Sequence, residues 1–405
     1  MVEIEFSYIE DVDQDAQIWA EFMEEFSSRY DVKVRLRRMA WDSAWADLFS
    51  YTTLGNGPQV SHVGNTWVSS LVRMHALRPF KPDELGEMGG AAEFMSPNWQ
   101  TGVLPRDPRV WAIPWTAWSY VICYRKDLLE KIGVDPANAF GTIELARSTI
   151  GRLADSSLEI PWLNTQMPMN FRCLLHIAAA WVWAAGGEII DKDGTKALFN
   201  SPKAIAGLKD WLETYRAVPD PYKKCSQQET FDLFKAGRAA AVLSNIRGTN
   251  SFMDPAQADP IVRDNLGVAP VTDVPWTGGG SLVIWDDLRG NPQRERAAVQ
   301  LVKFLSTKEI HLRYSHRSGN TPSQIGALNE IYPPGNAARE AIMLTATQGR
   351  SYYNMPIWRR IEYQLYEEIG AIVRDATENM SADLGDILHA RLDPLVARLN
   401  ITLGH

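Results

Sequence analysis

The chain has 405 residues, of which 45% are hydrophobic and 22% are charged, and its formal net charge at pH 7 is −8. This length favours two lobes over a single core, and no apolar run is long enough to span a bilayer as a helix. The negative charge, with no cluster of Lys and Arg to offset it, excludes nucleic acid as the main partner. The 15 tryptophans are an unusual number. Their flat apolar faces suit stacking on sugar rings, although large cores also use tryptophan.

Strand and helix patterns alternate over the first eighty residues. Period-two alternation predicts strands at 2–8, 31–36 and 60–63, and three- and four-residue spacing predicts helices at 18–26 and 41–52. This order predicts a parallel sheet with helices on its faces. Ligands of such sheets bind beyond the carboxyl ends of the strands. Six candidate side chains lie at or just beyond those ends: Glu10, Asp11, Trp41, His62, Asn65 and Trp67.

The stretch 111–133 changes character twice, from a tryptophan-rich turn to a strand at 120–124 and then to a helix from 126. Pro114 fixes its own φ and restricts the residue before it, so the turn has a defined direction. Such a segment can carry the chain from one lobe to another and place Trp115 and Trp118 at the mouth of a cleft. The alternative is that these indoles are core residues.

Two long stretches carry a family resemblance. Residues 113–134 (IPWTAWSYVICYRKDLLEKIGV) and 55–80 (GNGPQVSHVGNTWVSSLVRMHALRPF) resemble the crossover strand and the first-lobe pattern of extracellular solute-binding proteins of carbohydrate ABC importers, the maltose-binding-protein-like group. The ordered series WAAGGEIIDKDG, SPKAIAGLKDWLETY and ETFDLFKAGRAAAVL, between 183 and 243, is similar to the second lobe of that family. No single piece is a diagnostic motif, but the series covers most of the chain.

The resemblance implies an α/β, two-lobed periplasmic-binding-protein fold, each lobe a mostly parallel sheet flanked by helices, with the ligand cleft between the lobes. We expect two discontinuous lobes joined by three crossings. Lobe 1 is expected at 1–112 and 272–318, lobe 2 at 113–271 and 319–405, and the crossings near 112–118, 268–277 and 316–322.

Several kinds of chemistry lack their sequence signatures. There is no Gly-x-Ser-x-Gly elbow for a serine hydrolase and no His-Glu-x-x-His zinc motif, and the seven histidines are scattered. The glycine run 278–280 lacks the Lys-Ser or Lys-Thr of a phosphate loop, so its glycines are expected to let backbone approach a ligand. No metal or cofactor is predicted. A pair of carboxylates for glycoside cleavage stays open, because 49 acidic residues supply many pairs.

A sugar-binding clamp needs aromatic platforms and side chains that hydrogen-bond hydroxyl groups. Besides the six residues above, the candidates lie in the crossings and in the second lobe. They are Trp115, Trp118, Trp276 and Gly279 from the crossings and Asn170, Phe171, Asn245, Arg247 and Trp358 from the second lobe. Trp67 and Trp358 match positions where the resembled family often stacks sugar.

Two departures from the family pattern bear on the charge of the ligand. The turn after Pro114 carries no acidic residue, and the strand 239–244 runs into Asn-Ile-Arg-Gly in place of a Gly-Pro-Trp loop. This loop contains Arg247, which the family pattern lacks. An arginine pairs well with phosphate, sulfonate or carboxylate, so an anionic glycoside or a glycerophosphodiester is the alternative ligand class. Arg247 facing solvent without a ligand is the other interpretation.

The expected function is that of a substrate-binding protein of an ABC importer, which closes on a sugar or oligosaccharide and delivers it to a membrane permease. It is expected to be a monomer and not an enzyme, although a glycoside-active enzyme remains a lesser alternative. The chain begins directly with a strand pattern and no secretory leader. By resemblance it is placed in the periplasm or on the cell surface as a lipoprotein; a cytoplasmic location is the alternative.

Overall fold

Strand β1 (Val2–Ile9) and helix α1 (Asp15–Tyr30) bury their apolar faces against each other. Alternation along β1 turns Ile4, Phe6 and Tyr8 into the core. On the helix, residues three and four apart form one buried side, and the Trp19 ring centroid lies 4.9 Å from that of Phe6. Local patterning at the start of the chain therefore produces the elements that the sequence predicts.

The computed structural model describes residues 2–164, 172–286 and 291–403. Within these ranges the other strands are β2 (Val32–Met39), β3 (Val60–Gly64), β4 (Leu77–Arg78), β5 (Val103–Leu104), β6 (Asp107–Val110), β7 (Ile113–Pro114), β8 (Thr116–Ala117), β9 (Tyr120–Arg125), β10 (Ala241–Asn245), β11 (Leu266–Pro270), β12 (Gly280–Trp285) and β13 (Thr321–Pro322).

The other α-helices of the described ranges are α2 (Trp41–Leu54), α3 (Val68–Arg73), α4 (Pro82–Glu87), α5 (Ser96–Gln100), α6 (Lys126–Lys131), α7 (Ile143–Ala154), α8 (Arg172–Ala184), α9 (Pro202–Arg216), α10 (Gln227–Lys235), α11 (Ile246–Met253), α12 (Pro260–Asp264), α13 (Pro292–Leu305), α14 (Lys308–Ser318), α15 (Ile325–Ile331), α16 (Arg339–Gln348), α17 (Trp358–Glu378) and α18 (Leu384–Leu403). Short 3-10 helices lie at Asn65–Trp67, Gly90–Glu93, Pro136–Asn138 and Asp220–Tyr222. None of these helices has both the length and the apolar character needed to cross a membrane.

The chain divides into two compact units. Unit 1 comprises Met1–Trp118, Thr277–Pro333 and Asn354–Arg359, and unit 2 comprises Ser119–Trp276, Pro334–Tyr353 and Arg360–His405. The predicted division differs because it assigned 113–118, 319–333 and 354–359 to the second lobe and 272–276 to the first. The pairing of β13 with β8 keeps both strands in unit 1, where Thr321 lies opposite Ala117.

The short segment Asn354–Arg359 belongs to unit 1 because of its hydrogen bonds. The hydroxyl groups of Ser69 and Ser70 on α3 donate to the carbonyls of Met355 and Pro356, each at 2.9 Å. The Asn354 amide donates to the carbonyls of Thr101 and Val103, also at 2.9 Å. These partners are about 250 to 290 residues away in sequence, so local pattern contains no sign of them.

The large sheet of unit 1 has the order β2-β1-β3-β12-β4, and β7 also pairs with β12. Strand β1 is parallel to β2 and β3, as predicted, with Val2 opposite Val32. Strand β12 is antiparallel to β3, β4 and β7. The sheet is therefore mixed, and the expectation of a mostly parallel sheet is correct only for its N-terminal half.

The sheet of unit 2 corrects the same expectation more strongly. Its order is β10-β9-β11, and both outer strands are antiparallel to β9. The reason is the connection between the outer strands, because helices α11 and α12 carry the chain from β10 over β9 to β11. The two outer strands therefore run in the same direction. The central strand comes from an earlier part of the chain and runs in the opposite direction. Parallel pairing within unit 2 occurs in the described residues as isolated bridges, of Ile160 and Leu163 to the β10 region and of Trp276 to Arg350.

Candidate functional site

Four indole rings of unit 1 form a continuous series, which we call the indole row (Trp45, Trp67, Trp41 and Trp118). Successive ring centroids are 5.8, 5.5 and 5.2 Å apart. The rings meet edge to face at 66°, 63° and 64°, the arrangement that aromatic quadrupoles favour. Trp67 is buried, and the other three are partly exposed. The row therefore combines a rigid base with three partly accessible aromatic surfaces.

Separate elements bring these rings together. Trp41 is the first residue of α2, Trp45 follows one turn later, Trp67 ends the 3-10 helix after β3, and Trp118 follows β8. Gly64 lets the rings pack closely, because a Cβ there would lie 3.3 Å from the Trp41 ring and 3.4 Å from the Trp67 ring. The structure therefore brings together Trp41 and Trp67 from the predicted strand ends and Trp118 from the predicted crossing, and it adds Trp45 to them.

A carboxylate anchors the central exposed ring. Asp11 lies in the loop after β1, and its Oδ1 accepts a hydrogen bond from Trp41 Nε1 at 2.7 Å. Because the acceptor is charged, this bond is stronger than one between neutral groups. The neighbouring Glu10 is paired with the Arg38 guanidinium at 2.5 Å, so its charge is balanced. Asp11 is thus the acidic group that stands directly against the indole row.

The loop after β3 adds a buried amide. Asn65 is 3% exposed, and its Nδ2 has no hydrogen-bond partner among the described residues. Its backbone N–H donates to the carbonyl of Gly279 at 3.0 Å. Gly279 must be glycine, since its φ is +138° and a Cβ would lie 1.9 Å from the Thr116 carbonyl oxygen. The glycine run thus holds Asn65 in place, while an unsatisfied buried donor is a group that a ligand can satisfy.

The segment Asn354–Arg359 lies beside the same rings. The Arg359 guanidinium carbon is 5.9 Å from the Trp45 ring centroid and 6.0 Å from that of Trp67, at the outer limit of a cation–π contact. Trp358, the preceding residue, begins α17 and is 1% exposed. Trp358 is therefore a buried residue with almost no accessible ring surface in this structure.

Two predicted binding residues lie in the core of unit 1. Trp115 is fully buried, and its ring centroid is 5.3 Å from that of Trp19 and 4.6 Å from that of His311. His62, in the middle of β3, is also fully buried, and burial lowers its pKa to about 4. Neither side chain reaches a surface, so these positions are core positions. For Trp115 the structure agrees with the alternative stated above, that its indole is a core residue.

In unit 2, Asn245 and Arg247 lie at the junction of β10 and α11. The Asn245 side chain accepts the backbone N–H of Gly248 at 2.7 Å and so caps the helix. Arg247 is in the first turn of α11 and is exposed. The structure therefore gives Asn245 a structural hydrogen bond and leaves the arginine at the surface.

Trp276 of unit 2 is the centre of a second aromatic group. The His176 ring stacks on it at 4.0 Å between centroids with 7° between the planes, and His176 Nδ1 is 2.7 Å from the Tyr352 hydroxyl. Tyr120 lies 5.9 Å from the Trp276 ring. Because His176 covers one face of the indole, Trp276 cannot stack on a sugar with that face. The remaining predicted residues, Asn170 and Phe171, lie outside the described residues.

Sequence reasoning missed four neighbours of these groups: Trp45 and Arg359 in unit 1, and His176 and Tyr352 in unit 2. For Trp45 a signal existed, because its spacing of four from Trp41 places both on one side of α2. For His176 and Tyr352, which are 176 residues apart, no local pattern indicates that they meet. The part of the chain that the structure describes contains no group of three His, Cys, Asp or Glu side chains arranged to hold a metal ion.

Comparison with known proteins gives a family match. The model of the family described as bacterial extracellular solute-binding protein matches residues 21–333. A protein of Brucella abortus (strain 2308) that is named as a binding protein is 22% identical over 358 residues, which cover 85% of this chain and 80% of that protein. The resemblance predicted from the sequence is therefore confirmed.

Solved structures agree with the fold. The sugar-binding protein MalE of Xanthomonas citri is 18% identical, with a TM-score of 0.77 over 99% of this chain and 97% of that one. An ABC transporter solute-binding protein of Thermotoga lettingae TMO, bound with alpha-D-tagatose, is 17% identical, with a TM-score of 0.75 over the whole of both chains. The matched family and these two structures are binding proteins, and the two-lobed α/β fold class is confirmed.

Proposed function

Because the chain belongs to the bacterial extracellular solute-binding protein family, we propose that it binds a neutral sugar or oligosaccharide and delivers it to the membrane permease of an ABC importer. The observation that carries this proposal is the indole row of unit 1, with the Asp11 carboxylate bonded to Trp41. The prediction that the ligand lies between the two lobes stays a prediction.

The chemistry of the row fits a carbohydrate. The C–H faces of a pyranose are apolar and stack on indoles, whereas its hydroxyl groups need fixed donors and acceptors. Asp11 supplies an acceptor and Asn65 supplies a buried donor whose Nδ2 lacks a partner in the described residues. Both groups follow strand ends of the same sheet, the edge at which α/β sheets bind ligands.

The Arg359 guanidinium lies beside Trp45 and Trp67, whereas at Trp41 the charge of Asp11 favours a neutral ligand group over an anionic one. Asp11 stands against Trp41, and a phosphate or carboxylate of the ligand placed there would be repelled by it. The alternative of an anionic glycoside or a glycerophosphodiester depends on Arg247, which is exposed in unit 2. A matched comparison of glucose with glucose 6-phosphate distinguishes the two ligand classes.

The test is a titration of the purified chain with D-tagatose, maltose, maltotriose, glucose and glucose 6-phosphate. Calorimetry and tryptophan fluorescence measure the binding. We expect saturable binding of at least one neutral sugar, and Trp41→Ala should weaken it by about 10- to 100-fold, the value of one stacked ring at about 1–3 kcal/mol. Trp211→Phe is the control, because Trp211 is buried in unit 2 on α9 and lies outside the row. Binding of glucose 6-phosphate alone, abolished by Arg247→Ala, would reject the neutral-sugar proposal.

We further propose that the chain does not chemically alter its ligand. A glycoside-active enzyme would release product from a chromogenic glycoside or shorten maltotriose, whereas a binding protein would return the sugar unchanged. Chromatography of maltotriose after prolonged incubation with the protein decides between them.

The family is extracellular, and for this chain we propose the periplasm or the outer cell surface as its location and a monomeric state. Fractionation of cells that express the full gene, with an extraction step that separates lipid-anchored from free protein, tests this placement. Co-purification of a permease with the sugar-loaded protein tests the importer assignment.

A further inference from the structure

A buried carboxylate lies beneath the loop that carries Asp11. Asp15, the first residue of α1, is fully buried. Its Oδ2 accepts the backbone N–H of Asp11 at 2.6 Å and that of Val12 at 3.1 Å. An acidic residue at a helix start usually serves amides of its own first turn. Asp15 instead holds two residues that precede the helix, so its hydrogen bonds fix the path of the loop.

The other oxygen of the same carboxylate is held from the opposite side. The Tyr314 hydroxyl of α14 donates to Asp15 Oδ1 at 3.0 Å, and the Asn320 amide donates to that hydroxyl at 3.4 Å. Tyr314 is 2% exposed and packs 5.2 Å from Trp115 between ring centroids, so its position is fixed by the core. Burial raises the pKa of the Asp15 carboxyl and of the Tyr314 hydroxyl, as expected for groups shielded from water.

We propose that Asp15 and Tyr314 are positioning residues for the ligand site of unit 1, which act through Asp11 on the orientation of Trp41. The connection is continuous: Tyr314 orients Asp15, Asp15 holds the Asp11 backbone, and the Asp11 side chain holds Trp41 Nε1 at 2.7 Å. The core thereby fixes the angle of a partly exposed ring. That the ring meets a sugar rests on the proposed function, whereas the connection itself does not.

The first experiment needs no ligand. In a 1H–15N spectrum of the indole N–H groups, the Trp41 signal is assigned by its loss in Trp41→Phe. A hydrogen bond to a carboxylate moves such a signal downfield, so Asp11→Ala should move it upfield. Asp15→Ala should move it in the same direction by a comparable amount, and Tyr314→Phe by less. Asp13→Ala, an exposed change in the same loop, should leave it in place.

Asp15→Asn is the matched variant, because one amide oxygen can still accept the Asp11 N–H while the Tyr314 hydroxyl accepts from the new NH2 group. Its Trp41 signal should stay near the wild-type position. If Asp15→Ala does not fold, Tyr314→Phe still tests the proposal. An unmoved Trp41 signal in folded Tyr314→Phe and Asp15→Ala, or in Tyr314→Phe alone if Asp15→Ala does not fold, would overturn the proposal.

The second experiment uses whichever sugar of the titration series binds. Asp11→Ala and Asp15→Ala should each weaken binding by about 10-fold, and the double variant by about the same factor, because residues that act through one another are not additive. A loss of about 100-fold in the double variant would show independent effects and reject positioning through Asp11. If no sugar binds, the proposed function fails, and the indole spectra still decide the role of Asp15.

Discussion

Single side chains of unit 1 combine two properties that a binding site needs, rigidity and charge. Asp11 illustrates both, because its charged carboxylate is fixed by the bond from Trp41 Nε1 to Oδ1. An isosteric amide retains the shape but removes the charge, and it weakens the bond to the indole.

We therefore expect Asp11→Asn to lower the affinity for the neutral sugar by about 3- to 10-fold, about 1 kcal/mol, with little change in unfolding temperature. Calorimetric titration together with thermal unfolding measures both quantities. Asp13→Asn, which alters an exposed acid in the same loop, is the control and should bind like the wild type. Unchanged affinity in Asp11→Asn would remove the carboxylate from the proposed site.

Gly279 gives a second prediction for single residues, this time on stability. Its φ of +138° and the 1.9 Å approach of a built Cβ to the Thr116 carbonyl oxygen require a backbone shift in any substitution. We expect Gly279→Ala to lower the free energy of unfolding by at least about 2–3 kcal/mol, measured by urea denaturation. Gly151→Ala is the control, since its Cβ meets nothing within 4 Å on helix α7 and alanine favours the helix.

At the scale of elements, the junction of β10 and α11 decides what Asn245 does. Its side-chain oxygen caps the helix through the Gly248 N–H at 2.7 Å, a role that sequence analysis did not assign to it. A helix-capping role and a ligand-binding role of Asn245 lead to different expected results for the same substitutions.

Asn245→Ala should lower the free energy of unfolding by about 1 kcal/mol, because the cap is lost. Asn245→Asp should leave stability nearly unchanged, since aspartate caps equally well. Urea denaturation and sugar titration of both variants separate the roles. If Asn245 is only a cap, neither variant changes sugar affinity by more than about twofold; a loss of affinity in Asn245→Asp without a loss of stability would assign it to the binding site.

For the whole molecule, buried histidines make stability depend on pH. Burial lowers the pKa of His62 to about 4 and that of His311 to about 3, whereas in the unfolded chain both titrate near 6.5. Well above pH 6.5 both groups are neutral in either state. As pH falls through this value only the unfolded chain gains the protons, so folding stability should decrease towards pH 4 by up to about 1.4 kcal/mol per pH unit for each histidine.

Urea denaturation at pH 7, 6, 5 and 4.5 measures this decrease. His311→Phe, which keeps an aromatic ring against Trp115, should make the pH dependence shallower between pH 6.5 and 4.5. His389→Gln is the control, since His389 is exposed on α18. Equal slopes in all three proteins would show that His311 is not the titrating group.

The sequence by itself determined the elements and the family. Period-two and period-3.6 patterns predict β1, α1 and α2 to within a few residues, because burial of one face is a local property of strands and helices. The tryptophans that follow the strand ends likewise indicate the edge of the unit 1 sheet where the indole row lies.

Only the tertiary structure decided strand direction and side-chain neighbours. The antiparallel sheet of unit 2 and the return of Asn354–Arg359 to unit 1 depend on chain connections and on hydrogen bonds between distant residues. The same holds for Trp115, which the sequence places beside a turn like Trp118 but which the fold buries against Trp19 and His311. An indole has the same local signal in a core as on a surface, and the packing of other elements around it decides which it becomes.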